Sequence, residues 1–199
     1  TTIKTRVIGN NQQLLRIDSE QTDDISALEE NVLFEKIDEL IATGIDALVF
    51  EDYNKGVLTA NVIETIISKC KAANVLTTVD PKKDHFLDYR GVDLFKPNLK
   101  ELKEGLDVQF SILNKDDFEK AVSQLESILN NRITFITLSE HGVFIQEAKE
   151  KVYIPAHLRN ITDVSGAGDT VISVATLCLA AGLEIKNIAA IANLAGGLV

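Results

Sequence analysis

The sequence predicts an α/β protein with a mostly parallel sheet covered by helices on both faces. Three observations carry this. Short, largely apolar runs at Ile45–Phe50, Val75–Val79, Asp93–Phe95 and Ile133–Leu138 read as buried strands. Helical patterns separate them, the order expected of a parallel sheet with right-handed crossovers. Each run ends in polar residues, where open α/β sheets hold their ligands.

The elements follow in order. Ile3–Ile8 and Gln12–Asp18 read as two strands turning near Gly9-Asn10, a small β appendage apart from the main sheet. Arg6 and Arg16 lie on them, with a solvated face and a substrate contact both open. Asp23–Ser26 offers caps for a helix over Ala27–Ala42, with Gly44 as its stop. Its stripe of Leu28, Val32, Ile37, Leu40 and Ile41 is expected in the core. Ile45–Phe50 has the pattern of a strand buried on both faces. Thr59 caps a helix running to about Asn74, ahead of the Val75–Val79 strand. Helices are predicted at Leu99–Glu104 and Lys115–Asn130, and a hairpin at Val143–Gln146 and Lys151–Ile154. A β-like run, Asn160–Val164, precedes helices over Val171–Ala181 and Ile185–Ala195.

The 199 residues suffice for one domain with a full core. A formal charge of −10 argues against nucleic acid and anionic membranes as partners, so an anionic substrate needs a local basic pocket. Cys70 and Cys178 sit in helical patterns, which suits a reducing cytoplasm and not a disulfide framework or zinc site. No apolar run reaches the roughly 18–20 residues of a membrane span. The chain has no methionine, starts at Thr1 and stops in apolar Gly196-Gly197-Leu198-Val199, and is expected to be a piece cut at both ends.

The chemistry concentrates at Asp163-Val164-Ser165-Gly166-Ala167-Gly168-Asp169-Thr170. A Gly-Ala-Gly turn opening a helix exposes backbone N–H groups at the positive end of the helix dipole, an anion site. Asp169 beside it suits a base that takes a hydroxyl proton during phosphoryl transfer, while the amides hold the developing charge. An ordinary turn with a first-turn acid is the alternative. The other strand ends carry Asp52 and Lys55, then Asp80, Lys82 and Lys83, then Lys96, Asn98 and Glu101, then Ser139 and Gly142. Lysines along one edge of an acidic protein fit a phosphorylated substrate and a nucleotide. Asn98 and Glu101, one turn apart, can hold waters on Mg²⁺, or Glu101 is a plain first-turn charge. His85, His141 and His157 stand singly, and neither a Walker lysine motif nor GxGxxG is present.

Residues 163–170 resemble the C-terminal signature of the ribokinase/pfkB sugar kinases. Lys96-Pro97-Asn98-Leu99-Lys100-Glu101 resembles their Asn-x-x-Glu motif, and Thr137–Gly142 their Thr-x-Gly-x-x-Gly nucleotide loop. Within the family, Lys4–Val7 with Asn11–Asp18, Asp52-Tyr53-Asn54-Lys55-Gly56 and Val79-Asp80-Pro81-Lys82 resemble the D-glycero-β-D-manno-heptose 7-phosphate kinases. That branch is often the first half of a bifunctional kinase/adenylyltransferase.

The resemblance implies a ribokinase-like three-layer αβα sandwich with a β lid over residues 1–18 and a core over 19–199. It implies ATP and Mg²⁺ as cofactors, and a heptose 7-phosphate converted to the 1,7-bisphosphate for ADP-heptose and lipopolysaccharide core. Carried over by motif, Asp169 is the base, and Gly166, Ala167 and Gly168 form the anion hole. Asn98, Leu99, Lys100 and Glu101 contact ATP phosphates, with Glu101 acting on Mg²⁺ through water. Ser139 and Gly142 touch the nucleotide, Asn193 lies near adenine, and Arg6 and Lys55 are the candidates for the sugar phosphate. The lid implies a homodimer. Ser139 departs from the family by replacing the first loop glycine, and the N-terminal Gly-Gly sugar-binding segment and last elements of the family are not in this sequence. A kinase of fructose 1-phosphate or tagatose 6-phosphate, or a non-catalytic nucleotide-binding module, are the alternatives.

Overall fold

The computed structural model describes residues 3–9, 12–156 and 166–198. Strands β1 (Ile3–Gly9) and β2 (Gln12–Ser19) pair antiparallel as a separate two-stranded sheet, with a bulge between Val7 and Ile8. The rest forms one six-stranded sheet of β3 (Ala47–Glu51), β4 (Leu76–Asp80), β5 (Leu94–Phe95), β6 (Ile133–Thr137), β7 (Val143–Glu147) and β8 (Glu150–Ile154), in that spatial order. The first four strands run parallel; β7 and β8 add antiparallel at the edge. Between the strands lie α1 (Ala27–Ala42), α2 (Ala60–Ala72), α3 (Leu99–Leu106) and α4 (Lys115–Leu129), and α5 (Ala167–Ala180) and α6 (Ile185–Gly196) follow β8. The expected Asn160–Val164 run lies outside the described residues.

Strand alternation splits the core into two layers. On β5, Leu94 faces α5 and α6 while Phe95 faces α2, α3 and α4; on β6 and β7, Ile133, Phe135, Val143 and Ile145 join the first layer, Ile136 and Phe144 the second. The sheet is therefore covered on both faces, the αβα sandwich expected. Cys70 and Cys178 are buried free thiols in α2 and α5.

The helices begin where the caps predict. Ser26 makes a capping box with Glu29, and Thr59 Oγ1 accepts from the Val62 amide at 3.1 Å. Asp107 and Asn130 close α3 and α4 in the left-handed region.

Two expectations fail. The α1 stripe is not core: Leu28 is 79% exposed and Val32 67%. The residues packed inward are Leu33, Phe34, Ile37 and Ile41, because α1 lies at the rim of its layer and only this narrower face meets α2 and the core. Nor is β3 buried on both faces. It is an edge strand of the described sheet, and only Phe50 in it is buried. A continuous apolar run reports hydrophobicity without saying which neighbours are present to cover it.

Candidate active site

Five chain segments converge beyond the carboxyl ends of the parallel strands. The first follows β3. Asp52, buried, accepts from the Asn54 amide and from the Tyr89 hydroxyl, both at 2.8 Å. Those bonds fix the loop 52–56, in which Gly56 (φ +74°) lies so near Asp23 that an added Cβ would sit 2.0 Å from its carbonyl oxygen. The loop aims Tyr53 across the site, where its hydroxyl donates to Asp169 Oδ2 at 2.8 Å.

Asp80 ends β4 and is 6% exposed. Lys96, following β5 and 2% exposed, places Nζ 3.0 Å from Asp80 Oδ2. Lys82 stands 3.6 Å from Asp80 Oδ1 and donates to Glu101 Oε1 at 2.9 Å. Asn98 and Glu101 form a capping box at the start of α3: each accepts from the other's backbone amide at 2.8 Å. Glu101 is thus engaged on one oxygen by the cap and on the other by Lys82. Leu99 and Lys100 open α3, with Lys100 exposed and 3.7 Å from Glu104.

Gly166 (φ +88°) caps α5 with no side-chain bond to its first amides, so those of Ala167, Gly168 and Asp169 head an uncapped helix. Gly168 comes close to the Asp80/Lys96 pair: an added Cβ would stand 3.4 Å from Asp80 Oδ2. Deeper down, the Thr78 and Thr176 hydroxyls meet at 2.6 Å and tie α5 to β4.

Glu51, Asp80 and Asp169 each bring one carboxylate oxygen to within 4.8 Å of the others. The crowding shows in their protonation. Burial, then the charges of Asp80 and Asp169, push the Glu51 carboxyl up to about 7. Burial raises the Asp80 carboxyl despite Lys96 and Lys82. The hydrogen bond to Asp169 raises the Tyr53 hydroxyl.

On the far side, Thr137 bridges Asn98, so the loop after β6 adjoins the start of α3. Ser139 takes φ +53°, the conformation a glycine would adopt freely, and Gly142 takes φ +88° with no room for a Cβ beside Ile154 and Pro155. Asn193 on α6 donates to the Pro155 carbonyl at 2.9 Å. Toward the lid, Lys55 pairs with Glu20, which also has Lys4 at 3.9 Å. These residues line a groove of about 650 Å³ together with Phe50, Glu51 and Tyr53. Arg6 sits on β1 opposite Arg16, exposed and apart from that groove's lining.

The structure thus gathers Asp169, Gly166, Ala167, Gly168, Asn98 and Glu101 around one edge. Residue reading missed Glu51 and Tyr53 and took Asp80, Lys82 and Lys96 as loose strand-end charges. Their one sequence signal is position at or within two residues of the carboxyl ends of β3, β4 and β5.

A Gly-Ala-Gly helix start carrying an acid thus stands opposite paired lysines and carboxylates at one edge of an αβα sandwich. The chain belongs to the pfkB family of carbohydrate kinases, whose pattern matches residues 1–199. It is 41% identical, over its whole length, to the bifunctional protein HldE of Campylobacter jejuni subsp. doylei, and 39% identical to HldE of Nitratiruptor. The chain spans 42% and 41% of those relatives' lengths. Among solved structures, the tetrameric inhibited form of phosphofructokinase-2 from Escherichia coli superposes with a TM-score of 0.78 at 17% identity, over 92% of this chain and 60% of that one. Adenosine kinase from Sinorhizobium meliloti gives 0.66 at 20% identity, over 81% of this chain and 50% of that one. These likenesses establish the fold. Among the described residues, no helix is long and apolar enough to cross a membrane.

Proposed function

We propose that this sugar kinase uses ATP to phosphorylate the anomeric hydroxyl of D-glycero-D-manno-heptose 7-phosphate, giving the 1,7-bisphosphate on the route to ADP-heptose. The observation that carries the reading is the placement of Asp169 in the first turn of α5, beside uncapped amides and held by Tyr53. Similarity to HldE over the full chain supports the heptose substrate.

Asp169 would take the proton of the anomeric hydroxyl as that oxygen attacks the γ-phosphorus of ATP, the P–O bond to ADP breaking in line. The Gly166–Gly168 amides would hold the charge on the transferring phosphoryl group. Asn98, Leu99 and Lys100 would flank the ATP phosphates, with Ser139, Gly142 and Asn193 along the nucleotide. Mg²⁺, when bound, offsets charge on the β- and γ-phosphates. Glu101, engaged by the cap and Lys82, suits contact with that ion through water rather than directly. Lys55 at the groove mouth is the better of the two sugar-phosphate candidates; Arg6 would need the lid, or a second copy across it, to bring it in. Homodimerisation through β1 and β2, and an adenylyltransferase in the same polypeptide, belong to the same reading.

The test is Asp169→Asn in the full-length protein, assayed with ATP and heptose 7-phosphate. Turnover should fall by about 10²–10⁴-fold, with ATP affinity changed little. Surviving turnover would overturn the base assignment, and a preference for fructose 1-phosphate or tagatose 6-phosphate would overturn the substrate.

A further inference from the structure

We propose that Asp52 and Tyr89, both buried beneath the site, are positioning residues that hold the Tyr53 hydroxyl on Asp169. Their effect on turnover rests on Asp169 as the base; the contact itself can be read without turnover.

Loop 52–56 is fastened at both ends. At its start the Asp52 amide donates to the Asp80 carbonyl at 3.2 Å, and the Asp52 carboxylate accepts from the Asn54 amide and the Tyr89 hydroxyl. At its finish the Gly56 carbonyl accepts from the Ile25 amide at 2.9 Å, with Asp23 packed where a Cβ would stand. Tyr53 lies between these anchors. It is 54% exposed, and its hydroxyl reaches across 116 residues of sequence to Asp169 Oδ2. The backbone beneath it, rather than packing around it, aims its ring. With Oδ2 engaged by Tyr53, Oδ1 is the Asp169 oxygen left to take a proton.

Tyr89 supplies the fixed point. It is fully buried, its ring centroid 5.6 Å from that of Phe50 and 6.4 Å from that of Phe95. Burial, then the charge of Asp52, push its hydroxyl above the ordinary tyrosine range, so it stays a donor. Asp52 is 3% exposed, and the two groups it accepts from, an amide and a phenol, carry no charge. Burying a carboxylate without a cation is costly. An apolar side chain of the same size would fill the space at less cost. It could not accept from the core and from the loop at once, which is what joins the loop to a rigid ring.

The test pairs kinetics with a spectroscopic probe in the full-length protein. Misplacing a group by about 1 Å can cost about 10²-fold in rate, so Tyr89→Phe should lower kcat by at least about 10-fold with KM for ATP unchanged. Asp52→Leu combined with Tyr89→Phe replaces both partners by apolar groups of similar shape, which is close to neutral for folding. That double variant should keep its thermal midpoint and lose turnover to the same degree. In a Tyr53→Phe background, Tyr89→Phe should lower kcat by less than about 2-fold, because the contact it serves is already gone. Tyr153→Phe, on β8, should leave kcat unchanged. In protein labelled with 3-fluorotyrosine, the Tyr53 fluorine resonance is identified by its loss in Tyr53→Phe. It should move in Asp169→Asn and move the same way in Tyr89→Phe. Full kcat in the folded double variant would overturn the proposal. So would losses from Tyr89→Phe and Tyr53→Phe that multiply independently, or a Tyr53 resonance that ignores Tyr89→Phe. A resonance that responds in this pattern, in protein that phosphorylates no sugar phosphate, would refute the kinase reading and leave the positioning contact standing.

Discussion

Removing the Lys96 ammonium should expose how the site's buried charges are held. In Lys96→Met the side chain keeps its length and loses its charge, leaving Asp80 buried without its nearest counterion. The pair is separated by 3.0 Å with both partners under a tenth exposed. At an effective dielectric constant of about 20, their attraction is about 5.5 kcal/mol. Lys82, 3.6 Å from the same carboxylate, retains part of that stabilisation. Breaking a buried pair by removing one partner costs about 3–5 kcal/mol, and with Lys82 in place about 3 kcal/mol is expected. Urea unfolding of the wild type, Lys96→Met, Asp80→Asn and the double variant completes a cycle. In the Asp80→Asn background the Lys96→Met change should cost about 1 kcal/mol or less, because no buried charge is then orphaned. Equal losses in both backgrounds would show that Lys96 acts through packing alone and would refute the argument.

Two further substitutions probe the chemistry and the nucleotide loop. Tyr53→Phe deletes one hydrogen bond to a carboxylate; with such bonds worth about 1.5–3 kcal/mol, kcat should fall by about 10–100-fold with KM for ATP unchanged in steady-state assays. A KM change with kcat intact would show that Tyr53 holds substrate instead. Gly142→Ala places a methyl 2.0 Å from the Ile154 carbonyl oxygen at φ +88°, so about 2–4 kcal/mol of stability should be lost in thermal unfolding. Ser139→Gly, at φ +53°, should by contrast be neutral or stabilise by up to about 1 kcal/mol.

Much of the fold was legible because it is written in short-range pattern. The caps at Ser26, Thr59 and Asn98, the short apolar run of β6, and the turn at Gly166 each depend on residues within one or two turns of chain. The α1 stripe and the burial of β3 were misjudged for the complementary reason. Leu28 and Val32 have the right spacing for a core face, but burial depends on what packs against them, and α1 meets a neighbour along a narrower strip. Ser139 illustrates the middle case: the missing glycine was visible in the sequence, and its cost, a side chain at positive φ, only in the backbone.

The sequence by itself determined the order of strands and helices, the helix starts, and the motifs that mark a sugar kinase, because periodicity, capping and turn chemistry are local. The tertiary structure alone decided which of the charged strand ends share a site. Tyr53 and Asp169 are 116 residues apart, yet within hydrogen-bonding distance. Glu51 joins them because β3 and β4 pair in a register that sets Glu51 beside Asp80, while α5 docks across both strands. That convergence follows from sheet order and helix docking, in which the contributing residues have no sequence proximity. It turned Glu101 into a capped, lysine-bound acid and brought Glu51 to the centre of the site.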